Sequence, residues 1–212
     1  GVADILFEEA GTGLRASVRF SRFRAAFRNP GQGAVAVDED AIGGAFGVEL
    51  SPRGAVEVVD TPPLDPALLD LTGPVRMVRP LFVPLPGSVQ EPTATWVDTL
   101  TTAEESGETR SRSISVVTSM LAGDTVVAGS RLVRIRTRTE TSRHVTGRAG
   151  GVELEQQVRA ATEGEVLWDA ALGMLVRRTE AGTLEGTLEL PGLGVGAVPV
   201  RGRVSRAITL RR

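Results

Sequence analysis

From Gly13 onward, apolar and polar side chains trade places at every residue: Leu14, Ala16, Val18 and Phe20 share one parity, Arg15, Ser17, Arg19 and Ser21 the other. Successive side chains of an extended chain point to opposite faces, so this is the signature of a half-buried strand. After Phe20 the apolar parity moves to Phe23, Ala25 and Phe27 while Arg22, Arg24 and Arg28 take the other, a switch that a bulge or a change of sheet face accommodates. Asn29-Pro30-Gly31 then supplies turn chemistry, and a return through Ala34 to Val37 completes a hairpin. The composition agrees: Val, Ile and Thr, whose branched Cβ atoms suit a pleated surface, make up about a quarter of the chain.

Further along, Val48 to Leu50 and Val56 to Val59 flank Ser51-Pro52-Arg53-Gly54, with proline and glycine where a tight turn wants them. Thr61-Pro62-Pro63 stops that hairpin, and Asp65-Pro66 before Ala67, Leu68 and Leu69 reads as an N-cap with proline at the first helical position. Pro74, Pro80, Pro84, Pro86 and Pro92 then forbid a long helix or a central strand, so this stretch is a crossing segment packed by Val78, Leu81, Phe82 and Leu85. The remainder reads as strands over 95–101, 110–121, 125–127, 131–141, 152–162, 165–169, 174–180, 183–190 and 198–210, separated by Gly107, Gly123-Asp124, Gly129, Gly150-Gly151, Gly164, Gly173, Gly182 and Gly192. Residues 152–162 also contain good helix formers, but Val152, Leu154, Val158 and Ala160 share a strand parity, which favours a strand.

The fold expected is therefore mainly β: a single antiparallel domain over 1–212, a strongly curved sheet or barrel-like meander with one or two short helices. Within it, 1–60 would hold the N-terminal hairpins, 61–92 the proline-rich crossing and 93–212 the long meander. Alternation places oily side chains beneath the sheet and keeps guanidinium and carboxylate groups wet.

Composition narrows the chemistry. Without cysteine there is no disulfide framework, thiolate metal site or cysteine nucleophile, and one histidine excludes chemistry that needs two. A net charge of −2 gives no global field for nucleic acid, and no run is long and apolar enough for a transmembrane helix. All 24 cationic side chains are Arg, and Tyr is absent. The chain opens on Gly1 with no signal segment or lipidation cysteine in view, an opening that a processed exported protein would also show.

Several groups could still carry function. Arg134, Arg136 and Arg138 lie on one face of a strand, a cationic stripe whose guanidinium forks suit phosphate or headgroup oxygens; the alternative is a solvent face cross-paired with glutamates. Asp38-Glu39-Asp40 supplies hard oxygen donors but lacks the ladder of a calcium loop, so no metal is expected. His144 has nominal partners in Ser142, Glu140 and Asp169, yet no strained nucleophile turn accompanies it, so no catalytic residue is assigned. Gly192-Leu193-Gly194-Val195-Gly196 has no following helix to hold a phosphate and reads as a hairpin connection; no cofactor is expected. Trp96 and Trp168 read as packing residues.

Residues 46–59, the stretch LFVPLPGSVQEPTATWVDTL (81–100) and EGEVLWDAALGMLVRRT (163–179) together resemble a pattern of uncharacterised exported or lipoprotein-like β-rich bacterial envelope proteins. Leu85-Pro86, Trp96, Asp98, Asp169 and Gly173 stand at its loose landmarks. The resemblance implies an envelope, periplasmic or cell-surface location and brings no catalytic residues. The function expected is non-enzymatic binding of an apolar, lipid-like or amphipathic small molecule in the concave face of a curved sheet. The competing expectation is an assembly protein whose strand edges pair with partner chains.

Overall fold

The computed structural model describes residues 2–10, 13–29, 33–51, 54–71, 73–86, 91, 93–106, 108–149, 151–171 and 174–209. Pro30, Gly31, Pro52, Arg53, Pro92, Gly107, Gly150 and Gly173, read above as turn or breaker positions, lie outside them. The chain divides into two compact units, Gly1–Gly87 and Ser88–Arg212, and both are dominated by antiparallel strands.

The first unit contains β1 (Val2–Ala10), β2 (Gly13–Arg22), β3 (Arg24–Asn29), β4 (Gly33–Asp38), β5 (Ala45–Leu50) and β6 (Val56–Asp60). Strands β1, β2, β5 and β6 form a four-stranded sheet in the order β1-β2-β5-β6, and β3 pairs with β4 alone. This explains the parity switch after Phe20. The strand bulges at its end, where Val2 faces Arg22 but Ala3 faces Phe20, so that Ser21 is an extra residue; the Phe23 N–H then donates to the Glu39 carboxylate at 3.3 Å, and β3 begins a separate hairpin. Strand β1, for which the sequence reading had no element, adds to β2 with Ile5 opposite Val18 and Phe7 opposite Ala16. The β5–β6 turn closes as expected, Gly54 N–H donating to Ser51 O at 2.9 Å.

Two short helices, α1 (Pro66–Leu71) and α2 (Pro74–Val78), occupy the proline-rich stretch. Each begins on proline, which has no N–H to lose where the first turn would leave it unpaired. Leu68, Met77 and Val78 join Ala16, Val18, Phe46, Val48 and Leu50 in one hydrophobic cluster, so the apolar parity of β2 and β5 is the face that packs. Phe46 is fully buried and meets Phe20 edge to face, ring centroids 6.0 Å apart.

The second unit is one six-stranded antiparallel meander in sequential order: β7 (Thr95–Ser106), β8 (Thr109–Val127), β9 (Ser130–Ala149), β10 (Val152–Asp169), β11 (Met174–Leu190) and β12 (Val195–Thr209). Residues 152–162 are strand, as their parity indicated, and Pro191–Leu193 with Gly194 forms the β11–β12 connection. The β8–β9 hairpin turns on Ala128 and Gly129, both at positive φ (49° and 82°), the geometry that matches the twist of a two-residue turn. Among the described residues β12 does not pair with β7, so the sheet is open and these two strands are its edges.

The strands are longer than the glycine punctuation suggested. Gly123-Asp124, Gly164 and Gly182 were expected to separate strands and instead lie inside β8, β10 and β11. At Gly123 the register slips between Leu121 and Asp124, a bulge rather than a turn. Gly182 has a different reason: a methyl group there would stand 2.7 Å from Thr162 Cα and run into Ala161 O on the neighbouring strand. An interior glycine often marks such close backbone approach, which is compatible with an uninterrupted ladder.

Nor does the sheltered side of this sheet follow the expected oil-and-water division. On β8 it carries Ser111, Ser113, Ser115, Val117 and Ser119, on β9 Ile135, Thr137, Thr139 and Thr141. The hydroxyls satisfy one another across strands: Thr102 Oγ1 lies 2.6 Å from Ser113 Oγ, and Ser115 Oγ lies 2.9 Å from Thr141 Oγ1. Directly opposed Thr and Ser side chains can shed water without losing hydrogen bonds, so a sheltered face need not be oily.

Candidate functional site

The more exposed face of the second unit's sheet holds an open trough of about 520 Å³. It crosses the middle of β8, β9, β10 and β11. Ile114, Val116, Ala160 and Ala161 give it an apolar lining, and Glu140, Ser142, Arg159, Thr183 and Glu185 bring polar groups to the same place. Strand register explains the shape. Val116, Glu140, Ala161 and Thr183 stand opposite one another in sequence across four strands, as do Ile114, Ser142, Arg159 and Glu185 in the adjacent row. Alanine at the centre of the first row leaves a depression between longer neighbours. The sequence signal was present but faint: Ile114 and Val116 are apolar residues on the same parity as Arg110 and Arg112.

The arginine stripe lies on this face, along β9. Arg136 stands opposite Glu165 and Arg138 opposite Glu163 on β10. Arg134 approaches Glu165 at 3.9 Å and also donates to Ala122 O at 3.3 Å, while Arg138 reaches Glu140 at 2.9 Å. Carboxylates on the same and the neighbouring strand therefore accompany the stripe. His144 is on the same parity; Glu155 accepts from its Nε2 at 2.9 Å and from the Gln157 amide at 3.3 Å. These bonds, His144's first, hold the Glu155 carboxyl below its ordinary value against a weak opposing effect of desolvation. Ser142 and Glu140 precede His144 on its own strand, and Asp169 ends β10, where it caps a turn by accepting from Ala171 N–H at 3.0 Å.

On the sheltered face, β11 and β12 hold a group the sequence reading passed over. Glu180 accepts from Arg178 Nη2 at 3.0 Å and from Arg206 Nη1 at 3.0 Å, with side-chain exposures of 7% for Glu180, 13% for Arg178 and 40% for Arg206. Burial lowers the Arg206 pKa from its ordinary value; the Glu180 charge opposes that and the Arg178 charge adds to it. The available signal was parity, because Arg178 and Glu180 share a side with Gly182, Leu184 and Leu188. Trp96 and Trp168 are half-buried on this same face.

In the first unit, Asp38-Glu39-Asp40 opens a short 3-10 turn. Asp38 caps it by accepting from the Asp40 N–H at 3.2 Å, and the Glu39 carboxyl is lowered by its own backbone N–H and by that of Phe23. No group of three or more metal-ligating side chains occurs among the described residues. No helix among them is long and apolar enough to cross a membrane. In comparisons with protein-family models, curated proteins and solved structures, the chain matches none.

Proposed function

We propose that the second unit binds an amphipathic small molecule in the trough on its sheet, and that the protein is a non-catalytic component of the cell envelope. The trough carries the reading: a depression of about 520 Å³ is the size of a small-ligand site, and its lining combines an apolar floor with a few convergent polar groups. The apolar part of the ligand would lie on Ile114, Val116 and Ala161, and its polar end would meet Glu140, Arg159 and Glu185. We take the sheet to be curved and barrel-like; the close backbone approach at Gly164, Gly182 and Gly186, whose missing side chains would point to the face opposite the trough, supports a bend between β10 and β11. The envelope setting rests on the resemblance of residues 81–100 and 163–179 to exported β-rich proteins.

The test is titration of the protein with anilinonaphthalene sulfonate, an amphipathic fluorophore, beside the variant Ala161→Phe, which fills the trough from an exposed position. Saturable binding that Ala161→Phe reduces at least tenfold, with the melting temperature unchanged, is the expected result. Equal binding by both proteins, or none by the parent, would remove the trough as a ligand site.

A further inference from the structure

The two edges of the second unit's sheet differ in charge. Strand β7 carries Asp98, Glu104 and Glu105 and no basic residue, while β12 carries Arg201, Arg203 and Arg206 and no acidic one. Among the described residues β7 pairs with β8 alone and β12 with β11 alone, so each has one side of its backbone available to another strand. Six strands in simple alternation leave β7 and β12 running in opposite directions. A second copy set beside the first therefore continues the sheet with an antiparallel pair.

We infer that copies of this chain associate head to tail, β12 of one pairing with β7 of the next. The register that uses all of β7 sets Thr95 opposite Thr209. On the sheltered face it then sets Trp96 opposite Ile208, Asp98 opposite Arg206 and Leu100 opposite Val204. On the other face Val97, 63% exposed, meets Ala207, and Glu105 lies diagonal to Arg201. Sliding β12 by two residues in either direction sets Asp98 against Val204 or Ile208, and sliding by one puts every side chain on the wrong face. Arg206 already holds Glu180 through Nη1, and a guanidinium fork has further donors for a second carboxylate. Pro199 falls near the end of the ladder, where a missing N–H costs little. Because the two surfaces are different, the contact is heterologous and builds rings or filaments rather than a closed pair.

The absence of native cysteine makes the test clean. Thr99 and Ser205 are exposed, small and opposite one another in this register. The variants Thr99→Cys and Ser205→Cys are prepared separately, mixed, and treated with a short bis-maleimide. A cross-linked dimer in the mixture that is several-fold more abundant than with either variant alone, and that fades in high salt, is the expected result. Cross-linking equal to that of either variant alone overturns the inference, as does a double variant that links only within one chain, since β7 would then close on its own β12. Circular dichroism of each variant confirms that the sheet is intact, so a negative result counts against the contact. Because neither residue lines the trough, loss of fluorophore binding and loss of cross-linking are separable outcomes.

Discussion

Replacing Gly182 by alanine adds one methyl group to a strand at the point where its neighbour comes closest. That methyl would lie 2.7 Å from Thr162 Cα and 2.8 Å from the Ala161 carbonyl carbon, besides colliding with the carbonyl oxygen. Ordinary carbon contacts begin at about 3.5 Å, so β10 and β11 must part by roughly 1 Å, and backbone cannot rotate aside as a side chain can. Overpacking typically costs 1–3 kcal/mol, and with only main chain in the way we expect about 3 kcal/mol, which in a unit of this size lowers the melting temperature by roughly 10 °C. Gly196→Ala is the control. Nothing lies within 4 Å of its added carbon, so the same chemical change there should shift the melt by less than about 2 °C. The assay is thermal unfolding followed by circular dichroism at the strand band. A Gly182→Ala protein that melts within 2 °C of the parent would show that β10 and β11 do not need a glycine at their close approach. Because Ala161 and Thr183 line the trough, the variant should also bind anilinonaphthalene sulfonate more weakly.

Three further outcomes follow from the same geometry. Phe46→Ala empties the centre of the first unit's core and should cost about 3–5 kcal/mol by denaturant titration; a loss below about 1 kcal/mol would mean that the cluster around Val18, Val48 and Leu68 does not depend on this ring. Glu180→Ala leaves Arg178 sheltered without its carboxylate and should destabilise by about 3 kcal/mol, whereas Arg206→Ala, which removes the more exposed partner, should cost no more than about 1 kcal/mol; the reverse order would contradict the burial argument. Glu155 should titrate below 4.5 in carbon-detected NMR and move up toward 4.5 in His144→Ala. Since its folded pKa is depressed, any stability it lends is present above 4.5 and fades as the pH falls through the folded value, and an identical titration in both proteins would refute the bond to His144.

Much of this architecture could be read from the chain because strand formation is a local property. A period of two in Leu14, Ala16, Val18 and Phe20 is enough to fix which side of β2 packs, and Pro66 at a helical first turn is enough to start α1. The turn at Gly129 was equally visible. Gly164 and Gly182 misled for a physical reason: glycine is chosen both where a chain must turn and where another backbone must come near, and composition cannot distinguish the two. The candidate site was least legible, because a trough exists only after Val116, Glu140, Ala161 and Thr183 from four strands are brought into one row. The ion triad depends likewise on a partner, Arg206, that lies 26 residues from Glu180 and meets it only through the β11–β12 register.

By itself, then, the sequence determined the predominance of strands, the inward parity of β2, the lack of thiol chemistry and the near balance of charge, all of which are sums or short-range patterns. Tertiary structure alone decided which strands are neighbours, and hence that β3 leaves its sheet, that hydroxyls of β7, β8 and β9 pair across the sheltered side of the meander, and that acids and arginines end on opposite edges. Pairing between distant segments depends on which register satisfies both faces of a sheet at once, a condition that no single strand carries.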